Sequence, residues 1–181
     1  MRKIVAGLFV SLDGVVEAPH RWQFEHFDED VAAAMTAQLA GVDTMLLGRV
    51  TYQDWAPYWS TSTDEPYASH INRTPKYVVS TALDRVAWGD WDNVTLIREN
   101  VTEELTRLKR QPGRDIGIGG SPTLVGSLLR QDLLDELLLL VHPVVVGRGK
   151  RLFREGGEVK RLNLADARTS RTGVAILTYR P

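Results

Sequence analysis

One stretch of the sequence, residues 114–129, restricts the possible fold more than any other. It reads Arg-Asp-Ile-Gly-Ile-Gly-Gly-Ser-Pro-Thr-Leu-Val-Gly-Ser-Leu-Leu. The pattern predicts a short buried strand over Asp115–Ile118, a turn at Gly119-Gly120 and a helix over Pro122–Arg130. Proline suits the first helical position because it has no N–H to leave unpaired, and the serine before it is expected to cap the helix with its side-chain oxygen. A chain with this unit is expected to form a sheet covered by helices.

The same stretch has the properties of an anion site. Glycines let a ligand approach the backbone closely, and the start of a helix presents free N–H groups to a phosphate. The alternative interpretation is a tight turn that binds nothing. The stretch is neither of the common nucleotide motifs, because it comes late in the chain, lacks the third glycine of the Rossmann fingerprint and lacks the Gly-Lys-Ser/Thr of a Walker A loop.

The rest of the chain alternates between apolar runs typical of strands and runs typical of helices. Strands are predicted over Ile4–Leu12, Thr44–Leu47, Lys76–Ser80, Val94–Ile97 and Glu136–Pro143, the last continuing over Val144–Val146. Helices are predicted over Asp28–Leu39, Val50–Trp59 with a break at Pro57, Tyr67–Asn72, and Thr102–Arg110 capped by Thr102. Two final strands, Leu162–Ser170 and Val174–Arg180, flank a turn typical of a hairpin. This order predicts a single α/β domain over residues 1–181, with a mostly parallel sheet and antiparallel strands at its C-terminal end.

Composition narrows the function classes. A length of 181 residues fits one domain, and a net charge of −1 gives no reason to expect a nucleic-acid or membrane partner. The chain has no cysteine, which excludes disulfides, thiolate nucleophiles and thiolate zinc sites, and its four histidines have no metal-ligand spacing, so no metal is expected. The apolar N-terminal run is short and has no signal-peptide cleavage site, so we interpret it as a strand and expect a cytoplasmic protein.

Two further strand ends carry residues suited to phosphate. Gly48 ends the second predicted strand, and Arg49 and Thr51 lie in the first turn of the following helix. Ser80 and Thr81 end the third strand. Taken singly, Arg49 is more simply interpreted as a solvated surface residue. Ser80 and Thr81 are more simply interpreted as an ordinary polar strand end. Because ligands bind outside the carboxyl ends of strands in open α/β sheets, the three strand ends together predict a site for a dinucleotide with an extra 2′-phosphate.

Four motifs, taken in order, resemble a known family. They are residues 11–14 (Ser-Leu-Asp-Gly), 47–52 (Leu-Gly-Arg-Val-Thr-Tyr), 118–123 (Ile-Gly-Gly-Ser-Pro-Thr) and 141–153 (Val-His-Pro-Val-Val-Val-Gly-Arg-Gly-Lys-Arg-Leu-Phe). The set is similar to the dihydrofolate-reductase-like superfamily and, more closely, to the RibD C-terminal domain family of riboflavin-biosynthesis reductases. Each motif alone is weakly specific, whereas the ordered set covers nearly the whole chain.

The resemblance implies an NADPH-dependent reductase that forms a homodimer. It places the cofactor pyrophosphate at Gly119, Gly120 and Ser121 with Thr123 nearby, and at Gly48 and Thr51 from the second helix start. It places the 2′-phosphate at Arg49, with Ser80 and Thr81, and the nicotinamide at the backbone of Ala6 and Gly7 and the loop Asp13–Val16. The loop over residues 13–27 would border the substrate.

The substrate side is less determined, and the catalytic candidates are Asp13, Trp22 and His26. His26 could donate a proton, although a loop histidine without a catalytic role is the simpler interpretation. Five aromatic residues, Trp22, Phe24, Trp55, Tyr58 and Trp59, could line a pocket for a flat ring or could be ordinary packing. His142 is interpreted as a satisfied core residue.

Three functions stay open at this point. The first is reduction of a small heterocycle or a ribosylaminopyrimidine, similar to that of 5-amino-6-(5-phosphoribosylamino)uracil reductase. The second is a non-catalytic NADP(H)-binding or regulatory homodimer. The third, dihydrofolate reduction, needs a carboxylate on the first helix, but Asp28, Glu29 and Asp30 are better explained as favourable charge at a helix N-terminus.

Overall fold

The computed structural model describes residues 1–153 and 159–181. Within these ranges the strands are β1 (Ile4–Ser11), β2 (Val42–Gly48), β3 (Lys76–Val79), β4 (Val94–Ile97), β5 (Asp115–Gly119), β6 (Glu136–His142), β7 (Asn163–Thr169) and β8 (Ala175–Arg180). The helices are α1 (Glu29–Gly41), α2 (Arg49–Trp59), α3 (Tyr67–Arg73), α4 (Val101–Arg110) and α5 (Pro122–Arg130). Two one-turn 3-10 segments, Pro19–Arg21 and Phe24–His26, lie in the loop that follows β1.

All eight strands form one sheet in the order β4-β3-β2-β5-β1-β6-β8-β7. The six strands from β4 to β6 are parallel, and β8 pairs antiparallel with both β6 and β7. The predicted α/β fold, with a mostly parallel central sheet and a C-terminal antiparallel hairpin, is therefore confirmed. β1 lies between β5 and β6, which explains why its sequence is apolar on both faces.

Alternate residues of β1 serve two different cores. Ile4, Ala6 and Leu8 belong to a core that also contains the buried leucines of α4 and α5. Phe9, on the opposite face, packs against the core formed by Val31 of α1 and residues of β6 and β8. α4 and α5 therefore cover one face of the sheet, and α1 covers the other.

Helices α2 and α3 lie on the same face as α1. Their third core contains Met45 and Leu47 of β2, Val78 of β3 and the fully buried Trp88. Between these helices, Gln38 of α1 lies over Gly7 of β1, and Trp55 of α2 lies over Gly119 of β5.

β6 is shorter than predicted. It ends at His142, and the continuation predicted over Val144–Val146 is wrong. Pro143 follows the strand and has no N–H for a ladder bond. The N–H groups of Val146 and Gly147 instead donate to the carboxylate of Asp13. This segment therefore packs against the loop after β1 and adds no length to the strand.

Two details of the predicted helices are also wrong. α2 continues through Pro57 to Trp59. The proline lies in the last turn, where its missing N–H removes a single helical bond. Thr102 does not cap α4, because the cap position is Asn100, in a left-handed conformation (φ 51°), and the Thr102 hydroxyl donates to Gln131 Oε1 at 3.0 Å.

No helix in the two described ranges is long and apolar enough to cross a membrane.

Candidate functional site

The C-terminal ends of β2 and β5 are joined by two hydrogen bonds, and a third fixes the side chain of Ser121 that takes part in them. The Gly48 N–H donates to Ser121 Oγ at 2.8 Å, and the Ser121 N–H donates to Thr51 Oγ1 at 3.0 Å. The Ser121 hydroxyl donates in turn to the Gly119 carbonyl oxygen at 2.8 Å. These bonds hold the starts of α2 and α5 side by side, and we call this arrangement the double junction (residues 48–51 and 119–123).

Ser121 occupies the cap position of α5 but does not cap it. Its backbone is left-handed, with φ 53° and ψ 53°, and its side chain makes no bond to the first turn of its own helix. The predicted capping role is therefore wrong, because the hydroxyl is already used by Gly48 and Gly119. The residue is buried, so its side chain holds the double junction together from inside.

Position 120 favours glycine. Its φ is +50°, in the left-handed region that favours glycine, and a Cβ there would lie 3.3 Å from Thr51 Cγ2. The turn thus brings the two helix starts closer together than residues with side chains would allow.

Two cationic side chains stand beside the double junction. Arg49 is exposed, and its Nη1 donates to Gln53 Oε1 at 3.1 Å. Lys150 reaches in from the loop after β6, and its Nζ donates to Thr123 Oγ1 at 2.6 Å at the start of α5. Sequence reasoning missed Lys150, although it belongs to the Gly-Arg-Gly-Lys run of the fourth motif. Positive charge beside two helix N-termini is suited to a polyphosphate.

The third predicted strand end lies at the same edge of the sheet. β3 is the neighbour of β2, so Ser80 and Thr81 follow a strand directly beside the double junction. Ser80 is buried, and its Oγ accepts from the Ala82 N–H at 3.1 Å, whereas Thr81 is exposed. The structure therefore brings the three predicted strand ends together in the order β3-β2-β5.

Asp13 holds two loops together. Its carboxylate accepts from Ser11 Oγ at 2.7 Å and from the N–H groups of Val146 and Gly147 at 3.0 and 2.9 Å. The Ser11 bond first, and then the two backbone bonds, lower the pKa of Asp13 to about 2. A carboxylate with that pKa is ionised at neutral pH and cannot supply a proton there.

Trp22 and His26 lie in a different group of rings, around the fully buried His142. The centroids of the two rings lie 5.5 and 6.4 Å from that of His142. His142 Nδ1 bonds to the Leu140 carbonyl oxygen at 2.9 Å, while its Nε2 has no protein partner within the described residues. Burial lowers the pKa of His142 and favours its neutral form. It is therefore a core residue with only one of its two nitrogens satisfied.

The acidic start of α1 is bound to the turn between β7 and β8. Asp28 caps the helix by accepting from the Val31 N–H at 3.0 Å, and its other oxygen accepts from the N–H and hydroxyl of Thr172, both at 2.9 Å. Burial raises the pKa of Asp28, but these bonds outweigh it and bring the pKa well below its usual value. Glu29 and Asp30 contact Arg171. All three acids thus contact this turn.

The five aromatic residues do not form one pocket lining. Trp22 belongs to the His142 group, and the exposed Phe24 lies in the same loop. Trp55, Tyr58 and Trp59 lie on α2, where Trp59 contacts the other two with ring centroids 6.1 and 5.0 Å apart. Of the α2 group, Trp55 lies over Gly119 of β5.

Ala6 and Gly7 point to opposite faces of the sheet. Ala6 is buried against the core of α4 and α5. Gly7 faces α1 and is in register with Gly119 of β5. The side chain of Gln38 lies over Gly7, and the ring of Trp55 lies over Gly119, next to the double junction.

Comparison with known proteins identifies the family. The sheet order and the C-terminal hairpin define an α/β protein with the fold of dihydrofolate-reductase-like proteins. The family model described as the RibD C-terminal domain matches residues 2–177. The chain is also 31% identical over 183 residues to the uncharacterized protein YyaP of Bacillus subtilis (strain 168), covering 98% of this chain and 94% of that protein. The chain therefore belongs to the RibD C-terminal domain family.

Solved structures share the fold at lower identity. A candidate riboflavin biosynthesis protein from Shewanella sp. PV-4 superimposes with a TM-score of 0.80 at 23% identity, covering 98% of both chains. The deaminase/5-amino-6-(5-phosphoribosylamino)uracil reductase of Thermotoga maritima matches with a TM-score of 0.70 at 12% identity, over 99% of this chain and 56% of that one. Dihydrofolate reductase from Enterococcus faecalis, complexed with NADP(H), matches with a TM-score of 0.60 at 14% identity, over 98% of this chain and 95% of that one.

Proposed function

We propose that this protein is an NADPH-dependent reductase of a small heterocyclic or ribosylaminopyrimidine substrate. The observation that carries the proposal is the double junction, which puts two helix N-termini, Arg49 and Lys150 at one edge of the sheet. Membership of a family that contains reductases supports the same conclusion.

The residues at this edge fit a dinucleotide. A Cβ at Gly120 would press on Thr51, so the glycine keeps backbone accessible where a pyrophosphate would approach. Thr123 and Lys150 would contact that group from α5, and Thr51 from α2. Arg49, with Thr81 and the backbone near Ser80, would meet the 2′-phosphate, because guanidinium binds phosphate through two parallel hydrogen bonds.

The nicotinamide would lie at the backbone of Ala6 and Gly7, beside the side chain of Gln38. The bound cofactor would supply the hydride, and the chain supplies position and electrostatics. The loop Asp13–Val16 would close one side of this position, and Asp13 fixes it by binding the segment after β6. The Thermotoga neighbour, named as a ribosylaminouracil reductase, supports a pyrimidine substrate.

His26 is the proton donor that this geometry favours among the three catalytic candidates. Asp13 is ionised at neutral pH, and the indole of Trp22 donates to the Glu17 carbonyl oxygen. His26 Nδ1 bonds to the Thr172 carbonyl oxygen at 3.1 Å, so a proton leaving this ring would come from Nε2.

A cofactor titration tests the proposal. Arg49→Ala should weaken NADPH binding by about tenfold or more and leave NADH binding nearly unchanged, because the lost charge would contact only the 2′-phosphate. Arg110→Ala, at the exposed end of α4, is the matched control and should behave like the wild type. Equal losses for both cofactors would remove Arg49 from this role, and a wild type that binds neither cofactor would disprove the proposal.

A non-catalytic NADP(H)-binding protein is the second candidate. It is favoured by the carboxylates of Asp13 and Asp28, which are engaged in internal hydrogen bonds and are ionised. NADPH oxidation with the ribosylaminouracil substrate, or with dihydrofolate, would decide against it. NADPH binding without turnover across a panel of heterocycles would support it.

A further inference from the structure

A cavity opens at the edge of the sheet opposite the double junction. It lies where β2, β3 and β5 begin, and the last turn of α3 forms one of its walls. Its volume is about 390 Å³, within the range of small-molecule sites. The seven residues of β2 separate it from the double junction by about 20 Å. We call it the basal cavity, and its lining includes Asp43, Ser69, His70, Arg73, Thr74 and Arg114.

Two guanidinium groups of the basal cavity can bind a ligand. Arg73, the last residue of α3, is exposed and makes no ion pair within the described ranges. Arg114, just before β5, is also exposed, and its side chain makes one hydrogen bond to the described residues, from Nη2 to the Val42 carbonyl oxygen at 3.3 Å. Because a guanidinium carries five N–H donors, most of the donors of both arginines remain available.

His70 contributes a ring nitrogen without a partner. Its Nε2 is buried and makes no hydrogen bond with any residue that the structure describes. Burial lowers the pKa of His70, and the charges of Arg114 and Lys76 lower it further, so the ring is neutral at neutral pH. Buried polar atoms are nearly always paired, so this nitrogen indicates a bound group that would pair with it.

A buried lysine adds positive charge behind the basal cavity. Lys76 is fully buried, and its Nζ donates to the carbonyl oxygens of Asn72 and Thr74 at 3.0 and 2.7 Å. No carboxylate in the described part of the chain pairs with it. Burial lowers the pKa of Lys76 to about 8, so it is still charged at neutral pH. Asn72 lies in the last turn of α3, and the lysine therefore also offsets the negative end of that helix.

The nearby acids are engaged by other groups. Asp43 pairs with Arg2 and accepts from the Arg114 N–H at 2.7 Å. Glu65 accepts from the Ser69 hydroxyl at 2.6 Å. The charge that faces the basal cavity is therefore mainly positive, and an anion there would offset the cost of burying Lys76.

We propose that the basal cavity binds a phosphate group, either free or on a small metabolite. Arg73 and Arg114 would bind two of its oxygens, and His70 Nε2 would donate to a third. A phosphate suits this arrangement better than a carboxylate does, because a carboxylate has only two oxygens for three donor groups. This site is separate from the proposed cofactor site and does not depend on the proposed reductase function.

The test follows the NMR signals of the His70 ring in the protein without cofactor. These signals are assigned by their loss in His70→Gln. Ribose 5-phosphate should shift them in a saturable manner, and ribose should not. Inorganic phosphate separates the two sources of the group. If it binds at least as tightly as the ester, free phosphate is the ligand, and if the ester binds more tightly, the ligand is a phosphorylated metabolite.

Variants of the two arginines test the assigned contacts. Arg73→Gln and Arg114→Gln should each weaken ribose 5-phosphate by about tenfold or more, because each loses hydrogen bonds from a charged donor. Arg21→Gln, at an exposed position in the loop after β1, is the matched control and should leave the affinity unchanged. Amide spectra of each variant establish that it is folded.

Three results would overturn the proposal: no shift of the His70 signals with either phosphate, an equal shift with ribose, or unchanged affinity in either arginine variant. Arg49→Ala tests for an effect from the other end of the sheet. If this variant abolished the His70 shift, the phosphate would be bound at the double junction, and the proposal would be wrong.

An NADPH titration separates this proposal from the reductase function. If phosphate shifted the His70 signals but the wild type did not bind NADPH, only the reductase function would fail. If NADPH bound and neither phosphate shifted the His70 signals, only the phosphate site would fail.

Discussion

At the scale of single residues, most polar groups of the site bind other parts of the protein first. Ser121 is buried and uses its hydroxyl in two bonds, and Asp13 uses its carboxylate in three. Arg49 and Thr81 are exposed and remain available to a ligand. Whether a side chain binds the protein or faces a ligand depends on contacts between distant segments. The sequence could therefore propose these residues, but it could not show which of them hold the site together and which are free to contact a ligand.

The low pKa of Asp13 predicts a pH dependence of stability. The folded state holds this pKa at about 2, below its ordinary value of 3.8, so the stabilisation is present above about pH 4 and is lost as the pH falls through 2. Asp13→Asn should therefore be less stable than the wild type at neutral pH, and the difference should shrink as the pH falls to 2.

Urea denaturation at several pH values measures this difference. Asp54→Asn, which changes an exposed carboxylate without a hydrogen bond among the described residues, is the control. If the difference in the free energy of unfolding between wild type and Asp13→Asn stayed constant from pH 6 to pH 2, the carboxylate would not stabilise the fold through these bonds.

At the scale of elements, the unit that matters is the pair of strand–helix connections in the double junction. β2–α2 and β5–α5 are 70 or more residues apart in sequence, yet each contributes a donor and an acceptor to the other. The strand, the glycine turn and the helix start of each connection were predicted. Their interlocking was not, because local propensity carries no information on which strands become neighbours.

Removing the Ser121 hydroxyl should loosen the double junction. Ser121→Ala leaves the Gly48 N–H without its partner, and we expect the free energy of unfolding to fall by about 1–3 kcal/mol. Ser127→Ala removes a half-buried hydroxyl from the same helix, whose side-chain partner is the exposed Gln131, and should cost less than about 0.5 kcal/mol. Chemical denaturation compares the two variants, and equal stabilities would contradict a central role for the Ser121 hydroxyl.

At the scale of the whole molecule, the strand order decides where the site lies. The order β3-β2-β5-β1 brings three strand ends and Gly7 of β1 together, although they come from residues 7 to 121 of the chain. The order also leaves β7 at one edge of the sheet, where all seven of its residues are exposed, including Leu164.

An exposed edge strand of this kind favours association, and we expect the homodimer implied by the family resemblance to cover β7. Light scattering coupled to gel filtration should then give twice the mass of one chain. Leu164→Asp on β7 should shift the protein towards the monomer. Val159→Asp, at an exposed position before this strand, should leave the mass unchanged. A wild type that is monomeric at every concentration would contradict the expectation.

The sequence by itself determined the α/β class, nearly every strand and helix, and the glycine turn that begins α5. These features follow from local periodicity, the conformational freedom of glycine and the fixed geometry of proline, which act over a few residues. The tertiary structure alone decided that the segment after β6 binds Asp13, that Ser121 bonds across to β2, that Lys150 reaches α5 and that Gln38 covers Gly7. Each of these depends on a contact between segments far apart in sequence, and such contacts are fixed only when the whole sheet assembles.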